Sequence, residues 1–404
     1  MLMLRSTMRM PRRSKITGPI TVCFVIDALS RAGTESQLLA LIRGLDRSRV
    51  RPVLCLLNGT DEVSQGLLPD DCPTLVLGVK RLVGRKAISG ALALRRFWRR
   101  HRVQIVQTYF LDSTYFAAPL ARLCGIRRVV RVRNNVGYWL TPKHRWLGRL
   151  VGKCCTRTLT NSEAGRDAII QTERTPARAV AVIANGVDLD RFPIRRWPDL
   201  RRADVRFGMV GNLRTIKNVD GLIRVMARVM ADYPQITLEV AGEGDQRPEL
   251  ERLIADRDLH GRVVLRGSVR DIPAFLESVD VAVLPSHSES LSNAVLEYMA
   301  AERALIATDV GANATLIRDG EDGLIVPPND EAALEEAFRR VLGDADLGRV
   351  MGRSARRRVE AEYSRGQMLK VFHQFYDELM SHLHCTRPRM MPTVVGPMYS
   401  SRSA

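Results

Sequence analysis

"VDVAVLPSHSESLSNAVLEYMA", residues 279–300, carries the reading from which the fold follows. Its front half is a run of branched apolar residues ending at Leu284, the pattern of a strand buried on both faces. Its back half places Ser292 or Asn293 to cap a helix whose apolar positions are Val295, Leu296 and Met299. The segment is therefore strand, polar loop, helix N-terminus. In an open parallel sheet ligands bind at such a place, because free backbone N–H groups and the helix dipole favour a negative group. Glu289 in the loop and Glu297 in the helix are out of keeping with a bare anion. They fit an anion whose hydroxylated appendages the carboxylates can hold.

The same strand–helix alternation extends in both directions. A first series runs from "PITVCFVIDAL" through "RPVLCLLN", "TLVLGV", "QIVQTYF", "RRVVRVRN" and "TRTLTNS" to "AVAVIANGVDL", with amphipathic helices between. A second starts at "VRFGMVGNL" and continues through "ITLEVAGEG", "RVVLRGSV", "VAVLPS" and "ALIATDVG" to "GLIVPPN". Strands apolar throughout and separated by helices predict parallel sheets covered on both faces. The expectation is an α/β chain of two Rossmann-like, doubly wound domains with a cleft between them. The first spans 19–193, the proline- and arginine-rich stretch 194–204 is a linker, and the second spans 205–364. The residues at 1–18 and 385–404 read as tails without their own fold.

Composition bounds the function. The 404 residues are 45% hydrophobic, enough for sizeable cores, and 62 Lys+Arg against 44 Asp+Glu give a formal charge of +18. That excess fits nucleic acid, an anionic membrane surface or phosphorylated substrates. Arginines dispersed among ordinary helices, with no recognition motif, argue against nucleic acid. The seven cysteines have no zinc-ligand spacing and read as reduced thiols of a cytosolic protein. The basic start lacks the continuous apolar stretch of a signal peptide, and no charge-free run is long enough to span a bilayer. The expected location is the cytoplasm, in solution or peripheral on the inner face of its membrane.

Several strand ends carry chemistry. "GMVGNLRTIKN", residues 208–218, ends a strand at Val210 and follows it with Gly211, Asn212, Arg214 and Lys217. Glycine permits close approach of backbone to ligand, and the two cations supply charge for phosphate; alone, the loop reads equally as solvated surface. No GxxxxGK[ST] loop is present. Gly242 and Gly244 in "VAGEGDQRPEL" read as turn glycines, and Gly33 stands between the first strand and the first helix. These pieces, the two glutamates and "ATDVGANATLIRDGEDGLIVPPND" occur in this order at successive strand ends. Together they resemble the retaining glycosyltransferases of family 4, which have the GT-B-type pair of domains. The resemblance covers Pro19 to Leu383 and is sharpest from Arg206 to Asp330.

The resemblance implies a hexosyltransferase-type enzyme that takes sugar from a nucleotide-diphosphate-sugar and needs no obligatory cofactor or metal. It implies that Arg214 and Lys217 clamp the donor diphosphate, and that Glu289 with the backbone of Ser290, Leu291 and Ser292 grips the donor sugar. Glu297 would hold the ribose, Gly211, Asn212 and Gly242 would be further donor-binding positions, and Gly33 would close on the phosphates from the opposite domain. It also implies a last helix, 365–384, that crosses back to the first domain. The chain departs from the family pattern at Ser290, where glycine is frequent, and at Arg133-Asn134-Asn135, where many members show histidine. Asp112, Arg133 and Asn134, with Asp27, are the acceptor-side candidates. The acceptor would be a glycan or a lipid-linked glycan. Arg95, Arg96, Arg99 and Arg100, with Lys143, Arg145 and Arg149, suit an anionic bilayer surface around Trp98 and Trp146; the alternative is a solvated face with both tryptophans in the core. A nucleotide-sugar epimerase or hydrolase on the same architecture is the rival activity.

Overall fold

The computed structural model describes residues 18–30, 32–135, 137, 141–194, 200, 204–344 and 346–381. The tail expected over 1–18, apart from its last residue, the tail over 385–404 and most of the stretch over 194–204 lie outside them.

The first domain alternates β1 (Ile20–Ile26), α1 (Gly33–Gly44), β2 (Val50–Leu56), α2 (Glu62–Leu67), β3 (Thr74–Val76) and α3 (Arg85–Arg100). It continues with β4 (Ile105–Tyr109), α4 (Leu111–Leu123), β5 (Arg128–Val132), α5 (Pro142–Gly152), β6 (Arg157–Thr160), α6 (Glu163–Glu173) and β7 (Val180–Val182). The second has β8 (Arg206–Val210), α7 (Val219–Asp232), β9 (Thr237–Ala241), α8 (Arg247–Asp256), β10 (Val263–Gly267), α9 (Ile272–Ser278) and β11 (Val281–Leu284). Then come α10 (Asn293–Ala300), β12 (Ala304–Thr308), α11 (Asn313–Leu316), β13 (Leu324–Val326), α12 (Glu331–Gly343), α13 (Leu347–Glu362) and α14 (Arg365–Ser381). The short α2 and the polar α6 have no counterpart in the sequence reading. Ser162 explains where α6 starts, since its hydroxyl accepts from the Gly165 N–H at 3.0 Å.

Both sheets are parallel. The first has the order β3-β2-β1-β4-β5-β6-β7 and the second β10-β9-β8-β11-β12-β13. The two doubly wound domains expected from the alternation are present. In each sheet the strand order reverses once, between β1 and β4 and between β8 and β11, and a crevice opens there beyond the carboxyl ends.

One face of the first sheet is covered by α3, α4 and α5 through Leu94, Trp98, Ala117, Ala121 and Val151. The other face takes α1 and, from the far end of the chain, Met368, Phe372, Phe375 and Tyr376 of α14. That helix is tied in by the Tyr376 hydroxyl, which donates to Gln107 Oε1 at 3.0 Å, while Gln107 Nε2 donates to the Tyr109 hydroxyl at 2.7 Å. All three groups are buried. Tyr376→Phe strands the Gln107 oxygen, and an orphaned buried acceptor costs about 1–3 kcal/mol. The urea midpoint of the variant should fall accordingly with an unchanged slope; an unchanged midpoint would show that the bond contributes nothing.

Candidate active site

The second crevice starts where β8 and β11 part. They pair only at Phe207↔Val281 and Gly208↔Ala282, and beyond that point a side chain fills the gap. The Val210 N–H donates to the Tyr298 hydroxyl at 2.6 Å, and burial pushes that phenol far above its ordinary value. The loops leaving the two strands are then laced together. The His287 N–H donates to the Ile216 carbonyl at 2.9 Å, and Asn218 Nδ2 donates to the Pro285 carbonyl at 3.2 Å. Lys217 Nζ reaches Glu289 Oε1 at 2.5 Å, and the Ser286 hydroxyl donates to the same oxygen at 2.8 Å. Arg214 is exposed, with no ion pair among the described residues.

Glycines in this crevice serve two different needs. A Cβ on Gly242 would lie 1.9 Å from the Gly211 carbonyl oxygen, and one on Gly244 would lie 2.2 Å from that of Leu213. These two positions are set by backbone meeting backbone, and not by a turn alone as the isolated GxG pattern reads. A Cβ on Gly211 would meet only the Met209 methyl at 3.4 Å and the Lys217 stem at 3.8 Å. Neither contact demands glycine at 211, and the neighbouring Asn212 is exposed.

Glu297 lies one turn into α10, half-buried, its carboxylate with no hydrogen bond or ion pair among the described residues. Burial pushes its carboxyl up to about 7, against the pull of the Arg191 charge. Ser292 caps α10 through its hydroxyl, which accepts from the Val295 N–H at 3.5 Å, and Leu291 is buried beside it.

The first domain closes on this loop through polar side chains. Asn293 Nδ2 donates to the Gly33 carbonyl at 3.1 Å, and its Oδ1 accepts from Asn185 Nδ2 at 2.7 Å and Gln37 Nε2 at 3.3 Å. A Cβ on Gly33 would come within 2.7 Å of Asn293 Nδ2, so glycine allows this approach. The Ser290 hydroxyl donates to Asn161 Oδ1 at 2.7 Å and lies 2.9 Å from the Ser162 hydroxyl. The Ser290 departure thus has a use, a bond across the cleft that glycine could not make. Asn161, Ser162 and Gln37 are absent from the sequence reading, and Asn185 reads there only as part of an Asn-Gly turn, because nothing local to them reports a partner more than a hundred residues away.

The crevice of the first sheet is a cavity of 310 Å³ lined by Asp27, Thr34, Asp112, Arg133 and Asn134 among others. It brings the acceptor-side candidates together. Asp27 Oδ1 accepts from the Ser113 N–H at 2.8 Å and from its hydroxyl. Burial raises the Asp27 carboxyl, although the Ser113 bonds pull the other way. The turn into α4 places Phe110 at φ 63°, a left-handed conformation that a bulky residue rarely adopts.

Glu297 generates a prediction with a definite sign. Its folded-state carboxyl titrates near 7 against an ordinary 4.5. The stability it contributes is complete below about pH 4.5, is lost as pH rises to about 7, and changes no further above. The stability difference between wild type and Glu297→Gln should move by on the order of 3 kcal/mol across that window, in favour of the variant at high pH. Parallel melting profiles from pH 4.5 to 8 would contradict the half-buried, unpaired carboxyl.

The comparisons with known proteins agree with this geometry. The family model described as "Glycosyl transferases group 1" matches residues 204–344, and that described as "Glycosyltransferase Family 4" matches residues 31–191. The alpha-D-kanosaminyltransferase of Streptomyces kanamyceticus is 30% identical over 277 residues, covering 62% of this chain and 70% of that protein. The UDP-Gal:alpha-D-GlcNAc-diphosphoundecaprenol alpha-1,3-galactosyltransferase of Escherichia coli is 25% identical, covering 80% of this chain and 90% of that one. Among solved structures, Anabaena HepE in complex with UDP and glucose superposes with a TM-score of 0.79 at 16% identity, over 89% of this chain and all of that one. A glycosyltransferase from Rickettsia africae gives 0.77 at 18% identity, over 90% and 99%. Two parallel-sheet domains, the laced loops at their switch points and these relatives lead to one conclusion: the chain belongs to the family 4, group 1 glycosyltransferases and is a transferase of GT-B type.

Proposed function

We propose that this glycosyltransferase is retaining, and moves a hexosyl group from a nucleoside-diphosphate sugar to a glycan or lipid-linked acceptor. The observation that carries the reading is the charge arrangement of the second crevice: Lys217 paired to Glu289, with Arg214 and Glu297 left without ion pairs among the described residues. A donor diphosphate satisfies both cations, and its sugar and ribose hydroxyls engage the two carboxylates. The UDP seen with HepE and the diphosphate-linked acceptor named for the Escherichia coli relative support the two substrate classes.

In the proposed reaction the acceptor oxygen attacks the anomeric carbon from the face that the diphosphate leaves. The bond to the diphosphate oxygen breaks, that oxygen takes the acceptor's proton, and the new glycosidic bond keeps the original configuration. Arg214 and Lys217 act on the charge growing on the diphosphate, and the cross-domain bonds of Ser290 and Asn293 hold the first-domain cavity against the donor. Loss of one such contact costs on the order of 3 kcal/mol, about a hundredfold in rate. Arg214→Ala should lower turnover of a UDP-sugar by that factor and leave the melting temperature nearly unchanged, since the side chain is exposed. Turnover at the wild-type rate would remove Arg214 from the mechanism.

The first domain carries a second relevant surface. The side-by-side helices α3, α4 and α5 expose Ile88, Leu92, Leu123, Trp146 and Leu150. On α3 and α5 Arg95, Arg96, Arg99, Arg100, Lys143, Arg145 and Arg149 are exposed as well. The two tryptophans separate: Trp98 is 2% exposed and belongs to the core, whereas Trp146 is 64% exposed. No helix among the described residues is long and apolar enough to cross a membrane. Basic charge around exposed apolar side chains fits docking on an anionic bilayer, where each cation contributes about 1 kcal/mol within a Debye length of about 8 Å. The protein should sediment with vesicles containing phosphatidylglycerol, less so as salt is added, and not with neutral vesicles. Arg96, Arg99 and Arg100 reversed together to Glu should abolish sedimentation while UDP binding persists. A wild type that stays in the supernatant at low salt makes the layer a solvated face and favours a soluble acceptor.

A further inference from the structure

The turn out of β4 holds a residue that the proposed reaction does not use. Phe110 has φ 63° and ψ 176°, a region of backbone space almost confined to glycine. Phenylalanine is strained there, and the turn is nevertheless held firmly. The Phe110 carbonyl accepts from the Thr114 hydroxyl at 2.6 Å and from the Thr114 N–H at 3.3 Å. The Thr114 hydroxyl also lies 2.9 Å from that of Thr108, and both threonines are buried. Ser113 ties the same turn to Asp27 at the exit of β1. β1 and β4 pair as far as Val25↔Thr108, and continuing that register sets Asp27 level with Phe110. The two residues therefore flank the switch point of the first sheet.

Core packing does not account for that strain. Phe110 is 38% exposed, belongs to none of the packed apolar clusters, and lines the 310 Å³ cavity. The charged groups of the same wall differ in their freedom. Arg131 and Arg133 are buried and committed to Glu173. Asp27 gives Oδ1 to Ser113 and keeps Oδ2 without a partner among the described residues, and Asp112 is exposed. An exposed aromatic residue beside open carboxylates complements a pyranose ring. The C–H face of the sugar packs on the electron-rich face of the aromatic ring, while its hydroxyls donate to carboxylates. We propose that Phe110 is the platform on which the acceptor's sugar ring stacks, with Asp27 and Asp112 taking its hydroxyls. The held turn fixes where the platform stands, so it orients the acceptor before the donor reacts. The acceptor class is then a molecule that presents a cyclic sugar, and an open-chain polyol with similar hydroxyls is a poor ligand. The proposal rests on the reading that the acceptor enters the first domain, and its test needs no turnover.

Methyl β-D-glucopyranoside and open-chain glucitol are titrated into the full chain with UDP present, and binding is read by saturation-transfer NMR. Wild type should bind the glucoside at least about fivefold more tightly than glucitol, with saturation strongest on the C–H protons of one ring face. Phe110→Gly and Phe110→Ala should both weaken the glucoside on the order of tenfold, and Phe110→Trp should restore it. The glycine variant should melt above the alanine variant, because glycine takes φ 63° without strain. Equal losses of affinity at unequal stability separate a platform from a residue that only shapes the turn, for which affinity would track stability. Glu289→Ala, on the donor side, should keep the preference for the glucoside. Octyl β-D-glucopyranoside below its micelle concentration separates the sources: tighter binding than the methyl glucoside names a lipid-linked sugar, and equal binding a free glycan. Equal affinity of wild type for methyl glucoside and glucitol overturns the proposal, as does undiminished glucoside binding in Phe110→Gly. Displacement of the glucoside by geraniol overturns it too, since Phe110 would then seat an isoprenoid chain. UDP binding in the same samples reports separately on the donor side. A chain that binds UDP without preferring the glucoside loses only this proposal, and one that prefers the glucoside without binding UDP loses only the donor reading.

Discussion

Everything at the site depends on two parallel strands that cannot stay paired. Where the order of a doubly wound sheet reverses, the connections on either side turn to opposite faces, and the strand ends are left with no loop covering them. In the second sheet the parting begins after two residue pairs, and the backbone of Val210 would be unsatisfied but for the Tyr298 hydroxyl. Tyr298 belongs to α10, whose Val295, Leu296 and Met299 are buried in the core of the same domain. The helix that carries Glu297 is therefore fixed by the plug itself. A ligand crevice and the helix beside it are thus one packing solution.

That crevice would be of little use if its charges were solvated at random. Without a donor, Lys217 is neutralised by Glu289, which also accepts from Ser286, so neither charge waits unpaired in a partly buried place. On the proposed reading a diphosphate takes over the ammonium and frees the carboxylate for hydroxyls. Donor binding then exchanges partners instead of creating a new buried charge. On the same reading Arg214, exposed and without an ion pair among the described residues, has no such exchange to make and acts as an adaptable cation.

Much of this was legible in the residues, and the limits have physical causes. Val281–Leu284 and the cap at Ser292 announced a strand and a helix because both signals are local, a run of branched apolar side chains and a hydroxyl placed for a free N–H. The two-domain architecture and the family followed from many such signals in order. The turn reading of Gly242 and Gly244 is incomplete because the carbonyls they make room for belong to Gly211 and Leu213, on another strand exit. Trp98 and Trp146 looked alike in sequence, each in a basic helix, and only the packing of α3 and α5 on the sheet separates a core residue from an exposed one. Cross-domain partners such as Asn161 and Asn185 leave no periodic trace at all.

The two arginine systems show how differently one residue type can be used. In the second domain the exposed Arg214 can follow charge that develops during a reaction, and exposure keeps its desolvation cost small. In the first domain Arg133 is locked by Glu173 and buried, so it cannot follow anything. A fixed cation held by a carboxylate serves the packing of its own domain, because leaving either partner alone in a low-dielectric interior is costly. An adaptable cation discriminates poorly but can follow a leaving group as its charge grows. Where many family members place a histidine that could exchange protons, this chain places a group that holds its proton at neutral pH. On the proposed reading, proton transfer is therefore left to the leaving diphosphate, and the first domain contributes selection and position.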